Sequence, residues 1–484
     1  MAQPGGMGGQ YRPLREDQIQ AIHEASLDCL REVGIEVESP EAREIYRRHG
    51  AEVDEATQRV RFPRRLIEAA VARAPRTIRL CGRDPRHDLE VGGRRVYLGT
   101  GGAALRVLDL ETGEARRAEL RDAYQVGRLV DALPHLHFYL RGPLPQDIPP
   151  EILDVNSFFA CLRGTSKHVM ASCTTLEGLK QVLEMGALIV GGPEALRARP
   201  IVSFITCWSI SPLFFVASTT EVMLEVARQW MPVALSCAPA AGTTAPIRLA
   251  GTLVQMNAEI LAGLALVQLA VPGAPVMYGA VPAVADMRTA NYTCGGPEFA
   301  LMNAAAAQLA QFYGVPLYGS AGLSDSKLPD AQAGMEKAMS VVLVALAGAN
   351  YIHHAAGMLE SMTAVAYEQY VLDDDMLGMV LRILRGIEVS EESLSLATIR
   401  NVGPRGHYLG EAQTLARMRT EYFYPRALDR STRDKWQAAG ALDARERARR
   451  IARKILAEHR PLPLPPEAER EIRRRFDIRL RIAD

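Results

Sequence analysis

The chain has 484 residues, 48% hydrophobic and 23% charged, which are proportions of a soluble globular protein longer than one compact core usually needs. Its 56 Lys and Arg cancel its 56 Asp and Glu, so no global field favours nucleic acid or an anionic membrane surface. Seven cysteines, an odd number without CxxC, Cys-x-Cys or HExxH, argue against a disulfide framework and the usual zinc sites, and suit reduced thiols in the cytoplasm.

In chain order, residues 1–14 are expected to be disordered, and Met1 to Gln10 has neither the basic start nor the apolar run of a signal peptide. A helix fits Asp17 to Val33, where Ile19, Ile22, Leu27, Leu30 and Val33 recur near helical spacing. Helical patches follow at Pro40 to Gly50 and Pro63 to Ala74, around a strand-like VRF. Residues 15–90 are therefore expected to form a helical appendage covering one end of the main domain.

From Val96 the chain alternates. Short β-branched or aromatic runs end in Gly, Ser, Pro or Cys: VYLGTG near 96, LHFYLRG near 136, KHVMASC near 167, PIVSFITCW near 200, PVALSCA near 232, PVMYGA near 275, VPLYGSAG near 315 and NYIHHAAG near 350. Their spacing of roughly 31 to 43 residues suits a βα unit, and the stretches between them carry helical patterns. Eight such units over 91–390 predict an α/β fold of the TIM type, a (β/α)₈ barrel. A doubly wound open sheet is the competing architecture, but its GxGxxG is missing; GTGGAA at Gly99 to Ala104 leads into a hairpin-like LRVLDLETGEARRA instead of a helix. The longest apolar stretch, LAGLALVQLAVPGAPVM, is too short and too interrupted to span a bilayer. Residues 391–484 read as a C-terminal helical wrap with a Pro-rich spacer, PLPLPP. Its Arg-rich segments interleave acids, as a solvated helix face does.

A barrel of this kind carries its site at the C-terminal strand ends. The loops there, from GTGG to HHAAGMLESM, are rich in small residues, which predicts a spacious mouth, although tight turns need Gly and Pro in any case. Catalytic candidates are Asp325 and Lys327 after the seventh run and His353 after the eighth. Lys327 could form a Schiff base or, more plainly, pair with Asp325. Alternation should send one of His353 and His354 inward and the other into the wall. Substrate-binding candidates are Trp208, Tyr97, Glu298 and His354, with Trp208 favoured because it follows the fourth run and an aromatic face can hold a methylated ammonium. Tyr139, Tyr278 and Tyr318 also lie within runs. Cys173, Cys207 and Cys237 end three consecutive runs and read as small buried hydrophobes, with no metal site expected.

Four longer stretches carry a resemblance: RPLREDQIQAIHEASLDCLREVGIEV, GTTAPIRLAGTLVQMNAEILAG at 242–263, GSAGLSDSKLPDAQAGMEKAMS at 319–340 and GMLESMTAVAYEQYVLDDDMLGM at 357–379. From about Leu14 to the final helix the chain resembles the trimethylamine methyltransferase family. The resemblance implies an enzyme that moves a methyl group from a small amine to the cobalt of a corrinoid (cobalamin) carried by a separate protein. No pyrrolysine is written here, so the chain is similar to the branch that includes glycine betaine methyltransferases. The chain has no DxHxxG, so the corrinoid must come from that partner, and no group is expected to be bound permanently. One departure is that Glu411 and Gln413 stand where the family commonly has histidines. A quaternary ammonium already carries a good leaving group, which favours such a substrate over a tertiary amine. A Schiff-base lyase using Lys327, a non-catalytic binder of methylated amines, and a homo-oligomeric state remain open at this point.

Overall fold

In the computed structural model, which describes residues 6–482, the eight runs form eight parallel strands. They are β1 (Arg95–Thr100), β2 (Phe138–Leu140), β3 (His168–Ala171), β4 (Val202–Thr206), β5 (Val233–Cys237), β6 (Val276–Ala280), β7 (Leu317–Ser320) and β8 (Tyr351–Ala356). Each pairs with its successor, and β8 pairs back onto β1 through Tyr351↔Tyr97 and Ile352↔Leu98. The sheet is closed, which excludes the open-sheet alternative. The crossover helices are α1 (Leu120–Ala132), α2 (Pro150–Gly164), α3 (Leu176–Val190), α4 (Ala217–Arg228), α5 (Leu249–Ala270), α6 (Pro297–Tyr313), α7 (Ala331–Leu346) and α8 (Tyr367–Arg385). Their ends follow local chemistry. Thr175 caps α3 by accepting from the Gly178 amide, and Gly191 ends it in the left-handed region that favours glycine.

Alternation along the strands divides the side chains into two cores. Phe138, Leu140, Met170, Ala234, Met277, Tyr318 and Tyr351 fill the lumen, and outward residues pack under the helices. The helix α5 is apolar on all sides and long enough to cross a membrane, yet 78% of its apolar window is buried within this protein.

The appendage is less helical than its periodicity predicts. Besides helices Glu16–Asp28, Pro40–Arg48 and Arg64–Val71, it contains short strands and a hairpin, Thr77–Leu80 with Leu89–Gly92. Ile78, Leu80, Leu89 and Val91 of that hairpin join the lumen cluster and plug the base of the barrel. In the stretch 1–14, residues 1–5 lie outside the described residues. The expected disorder is not met beyond them: Gly6–Met7 pairs antiparallel with Arg95–Val96, and Leu14 exchanges two 2.8 Å bonds with the Gln308 side chain. Backbone pairing of this kind needs no apolar pattern, so the sequence carries no sign of it.

At the other end, the loops after the strands are stitched into small sheets. Arg106–Leu108 and Ala115–Arg117 form the hairpin read in the sequence, and Ala364–Ala366 pairs with its first strand. Ala240–Ala241, Ala283–Ala285 and Tyr292–Thr293 form another sheet across the loops after β5 and β6. The mouth is thus built on paired backbone instead of free loops. Beyond α8 the chain leaves the barrel as an arm. It returns where the Asp375 carboxylate accepts from the amides of Arg426, Ala427 and Leu428. A helix at Ala444–Glu458 then lies along α8, with Arg445 bonded to the buried Glu368.

Candidate active site

Inward positions of β2, β7 and β8 build a column of rings up the lumen. Phe138 stacks on Tyr351 at 3.5 Å and 14°, Tyr351 faces Tyr318 at 5.7 Å and 20°, and Tyr318 stacks on His353 at 3.9 Å and 18°. The column ends at the C-terminal strand ends, where the His353 Nδ1–H donates to the Gly319 carbonyl at 2.7 Å. Burial drives the His353 pKa well below the ordinary imidazole value, and the neighbouring His354 lowers it further.

His354 should point into the wall by strand parity. A register irregularity between Ile352 and Ala356 and a φ of +65° at His354 turn it back instead, so that its Nδ1 meets the Ser320 hydroxyl at 2.8 Å. The two imidazoles lie 4.0 Å apart. Burial and the charge of Lys337 lower the His354 pKa to about 3. The ring rests on Gly101, where a Cβ would stand 2.0 Å from it, so glycine is required there by close approach. Both imidazoles are therefore neutral at physiological pH, so the rings of the floor add no positive charge of their own.

Above this floor Asp325 joins three loops. Its carboxylate accepts from the amides of Cys294 at 3.0 Å and Gly295 at 3.1 Å, after β6, and from the Ser361 hydroxyl at 2.6 Å, after β8. Its own amide donates to Glu336 of α7 at 2.9 Å. Glu360, Ser361 and Met362 all have left-handed backbones, a run of strain that the surrounding contacts must hold in place. Lys327 does not pair with the Asp325 carboxylate. Its exposed ammonium donates to the Asp325 carbonyl at 2.8 Å, and a Schiff-base lysine needs a desolvated setting that this one lacks.

Two other expectations are corrected, those for Trp208 and Tyr97. Trp208 does not face the mouth: β4 sends Ile205 and Cys207 inward, so the indole turns outward and is fully buried between Phe215 and α5. A Cβ at Gly263 of α5 would lie 2.3 Å from it. Tyr97 faces the lumen but at the base, with its ring edge-on to His137 and its hydroxyl accepting from the Glu90 amide at 3.4 Å. Glu298 sits exposed in the first turn of α6. Of the cysteines, Cys173 and Cys237 are buried, whereas Cys207 is exposed at the end of β4. Among the described residues no cluster of three or more His, Cys, Asp or Glu is arranged to hold a metal ion.

Sequence reasoning missed Glu259. Buried on α5, it accepts from the hydroxyls of Ser209 and Ser211, the Leu213 amide, Gln255 and the Cys237 thiol, and so positions the loop after β4. One acid inside an otherwise apolar helix, NAEILAG, was the available signal.

The description of the trimethylamine methyltransferase family (MTTB) matches residues 5–481. Over 458 residues the chain is 39% identical to trimethylamine methyltransferase MttB of Desulfitobacterium hafniense strain DSM 10664 / DCB-2, covering 95% of this chain and 92% of that protein. It is 35% identical to a glycine betaine methyltransferase of Desulfitobacterium hafniense strain Y51, covering 96% of each. It is also 35% identical to trimethylamine methyltransferase MttB of Methanosarcina barkeri, covering 94% of this chain and 93% of that one.

Proposed function

The chain belongs to the trimethylamine methyltransferase family, and from that footing we propose that it moves a methyl group from a small quaternary amine to the cobalt of a separate corrinoid protein. The observation that carries this reading is the Tyr318–His353 stack beside His354, a floor of rings whose imidazoles burial holds neutral. A methylated ammonium cannot be met by ordinary hydrogen bonds but is attracted to ring faces, and a cationic floor would repel it. Reduced cobalt, brought by the partner, supplies the nucleophile. The residues of this chain hold the amine and exclude water, while Asp325 keeps three loops in register over it and adds negative potential.

The same floor favours quaternary over tertiary amines. A tertiary amine leaves readily only in its protonated form, whose N–H ring faces do not satisfy as they do a fully methylated ammonium. A quaternary substrate needs no proton.

The test mixes the purified protein with a reduced corrinoid protein and follows the cobalt absorbance across a panel of tertiary and quaternary amines. Betaine-type amines are expected to be demethylated in preference to trimethylamine. Tyr318→Leu, which takes away the ring that His353 stacks on, should weaken amine binding by roughly 5- to 30-fold, the equivalent of about 1 to 2 kcal/mol, and Tyr318→Phe should lose less. Turnover of trimethylamine alone would reject the substrate preference. Turnover of no amine, despite an active partner, would reject the reaction. An unchanged KM in Tyr318→Leu would remove the ring floor from the site.

A further inference from the structure

At the base of the barrel, opposite the mouth, the N-terminal segment and the end of α6 enclose a cleft of about 640 Å³. The chain fixes its place: Arg94 directly precedes β1, Val315 stands two residues before β7, and Gly314 ends α6. Arg12, Arg76 and Arg94 line it from three separate segments. None of the three guanidiniums has a hydrogen-bond or ion-pair partner among the described residues. Arginines close by in the chain are paired, Arg15 with Asp17, Arg79 with Asp88 and Arg95 with Glu90. Two of the unpaired side chains lie across glycines at the edge of the cleft. A Cβ at Gly9 would stand 2.8 Å from Cδ of Arg94, and one at Gly314 would touch Arg76 at 3.8 to 4.0 Å. Phe312, 45% exposed, and Glu16 also line the cleft.

We propose that this cleft binds a nucleoside triphosphate, with its phosphates on Arg12, Arg76 and Arg94 and its base against Phe312. Like charges gathered without a counter-charge repel one another, and an anion among them relieves that cost. Glu16 and the C-terminus of α6, worth roughly half a negative charge, offset only part of the three guanidiniums. An excess of roughly one and a half positive charges remains. Guanidinium forks match phosphate oxygens two at a time, and three forks from three directions suit a chain of phosphates better than a single small anion. Two features favour a nucleotide over bare polyphosphate. An exposed phenyl ring offers a base a face to stack on. The Glu16 carboxylate suits a ligand that also carries hydroxyl donors, as a ribose does. The volume falls within the range of about 300 to 1,000 Å³ usual for small-molecule sites. Because the cleft lies at the opposite end of the barrel from the mouth, this proposal stands independently of the methyl-transfer reading.

Calorimetric titration of the full-length protein with ATP and with inorganic tripolyphosphate, at about 0.15 M salt, tests the proposal. ATP is expected to bind with a Kd below about 0.1 mM, and tripolyphosphate at least about 5-fold more weakly. The variant Arg76→Gln/Arg94→Gln, which keeps most of each stem and removes both charges, should weaken both ligands at least about 10-fold. Phe312→Ala should weaken ATP at least about 5-fold and leave tripolyphosphate unchanged. Should the arginine variant misfold, the unmodified protein decides: its ATP affinity should fall at least about 10-fold as salt rises from about 0.05 to 0.3 M. No binding of ATP, an arginine variant that binds it as tightly, or an affinity indifferent to salt each overturns the site. Tripolyphosphate bound as tightly as ATP, or Phe312→Ala without effect on ATP, overturns the nucleotide assignment.

Discussion

One carboxylate, Asp325, does for the mouth what several turns would otherwise have to do. It takes two backbone amides from one loop and a hydroxyl from another, while its own amide is held by Glu336. An amide side chain at this position keeps the size but turns a donor toward donors. Asp325→Asn is therefore expected to lower stability by about 1 to 3 kcal/mol, since buried donors lose their acceptor. It should also raise the KM for the amine more than it lowers kcat, because it loosens the loops over the floor. Urea melts and steady-state kinetics on the same preparation check this; an unchanged midpoint with an unchanged KM would show that Asp325 does not hold the loops. Trp208 teaches the converse. Its position next to a strand end suggested a ligand role, but one step of parity put the indole against α5.

At the scale of elements, the helices α7 and α8 are locked by a buried ion pair, Lys337–Asp373 at 3.1 Å. Lys337 also donates to the Gly322 carbonyl after β7, and Asp373 accepts from the Gly357 amide after β8 and from Gln369. The pair thus ties two helices to the two loops that flank the site. Removing one partner leaves a charge buried and alone, so Lys337→Met should cost about 3 to 5 kcal/mol. The double variant Lys337→Met/Asp373→Leu should recover part of that loss, because no charge is then stranded. Denaturant unfolding of the two variants decides the matter, and a double variant less stable than Lys337→Met would contradict the stranded-charge account.

For the whole molecule, the buried histidines predict how stability follows pH. His137 and His168 are lowered to about 4 and His354 to about 3, in each case chiefly by burial. His168 makes both of its bonds as a neutral ring, its Nδ1–H donating to the Cys81 carbonyl and its Nε2 accepting from the Ser203 hydroxyl. The folded pKa values lie below the unfolded value of about 6.5, so on acidification the unfolded chain takes up protons first. Stability is therefore full above about pH 7 and falls below about 6.5, by on the order of 1 kcal/mol per pH unit for each such histidine. Urea midpoints measured between pH 7 and 5, before most carboxylates titrate, should drop steadily. A flat profile over that window would mean that these rings are not held neutral.

How much of this was legible in the chain follows from the range of the forces involved. The eight strands, their closure and the family motifs could be read directly, because β-branched runs separated by helical spacing express local preference and burial, which a linear sequence records. The hairpin after β1 was legible for the same reason. The sequence also pointed to Asp325, His353 and His354 as residues at strand ends. It could not say that His354 would be turned inward by a left-handed backbone, that Lys337 would find Asp373, or that Glu259 would gather five donors. Nor could it say that Trp208 and Tyr97 would lie away from the mouth. Those outcomes depend on strand phase and on partners tens of residues away. They were decided only when the closed barrel set the direction of each side chain and its company.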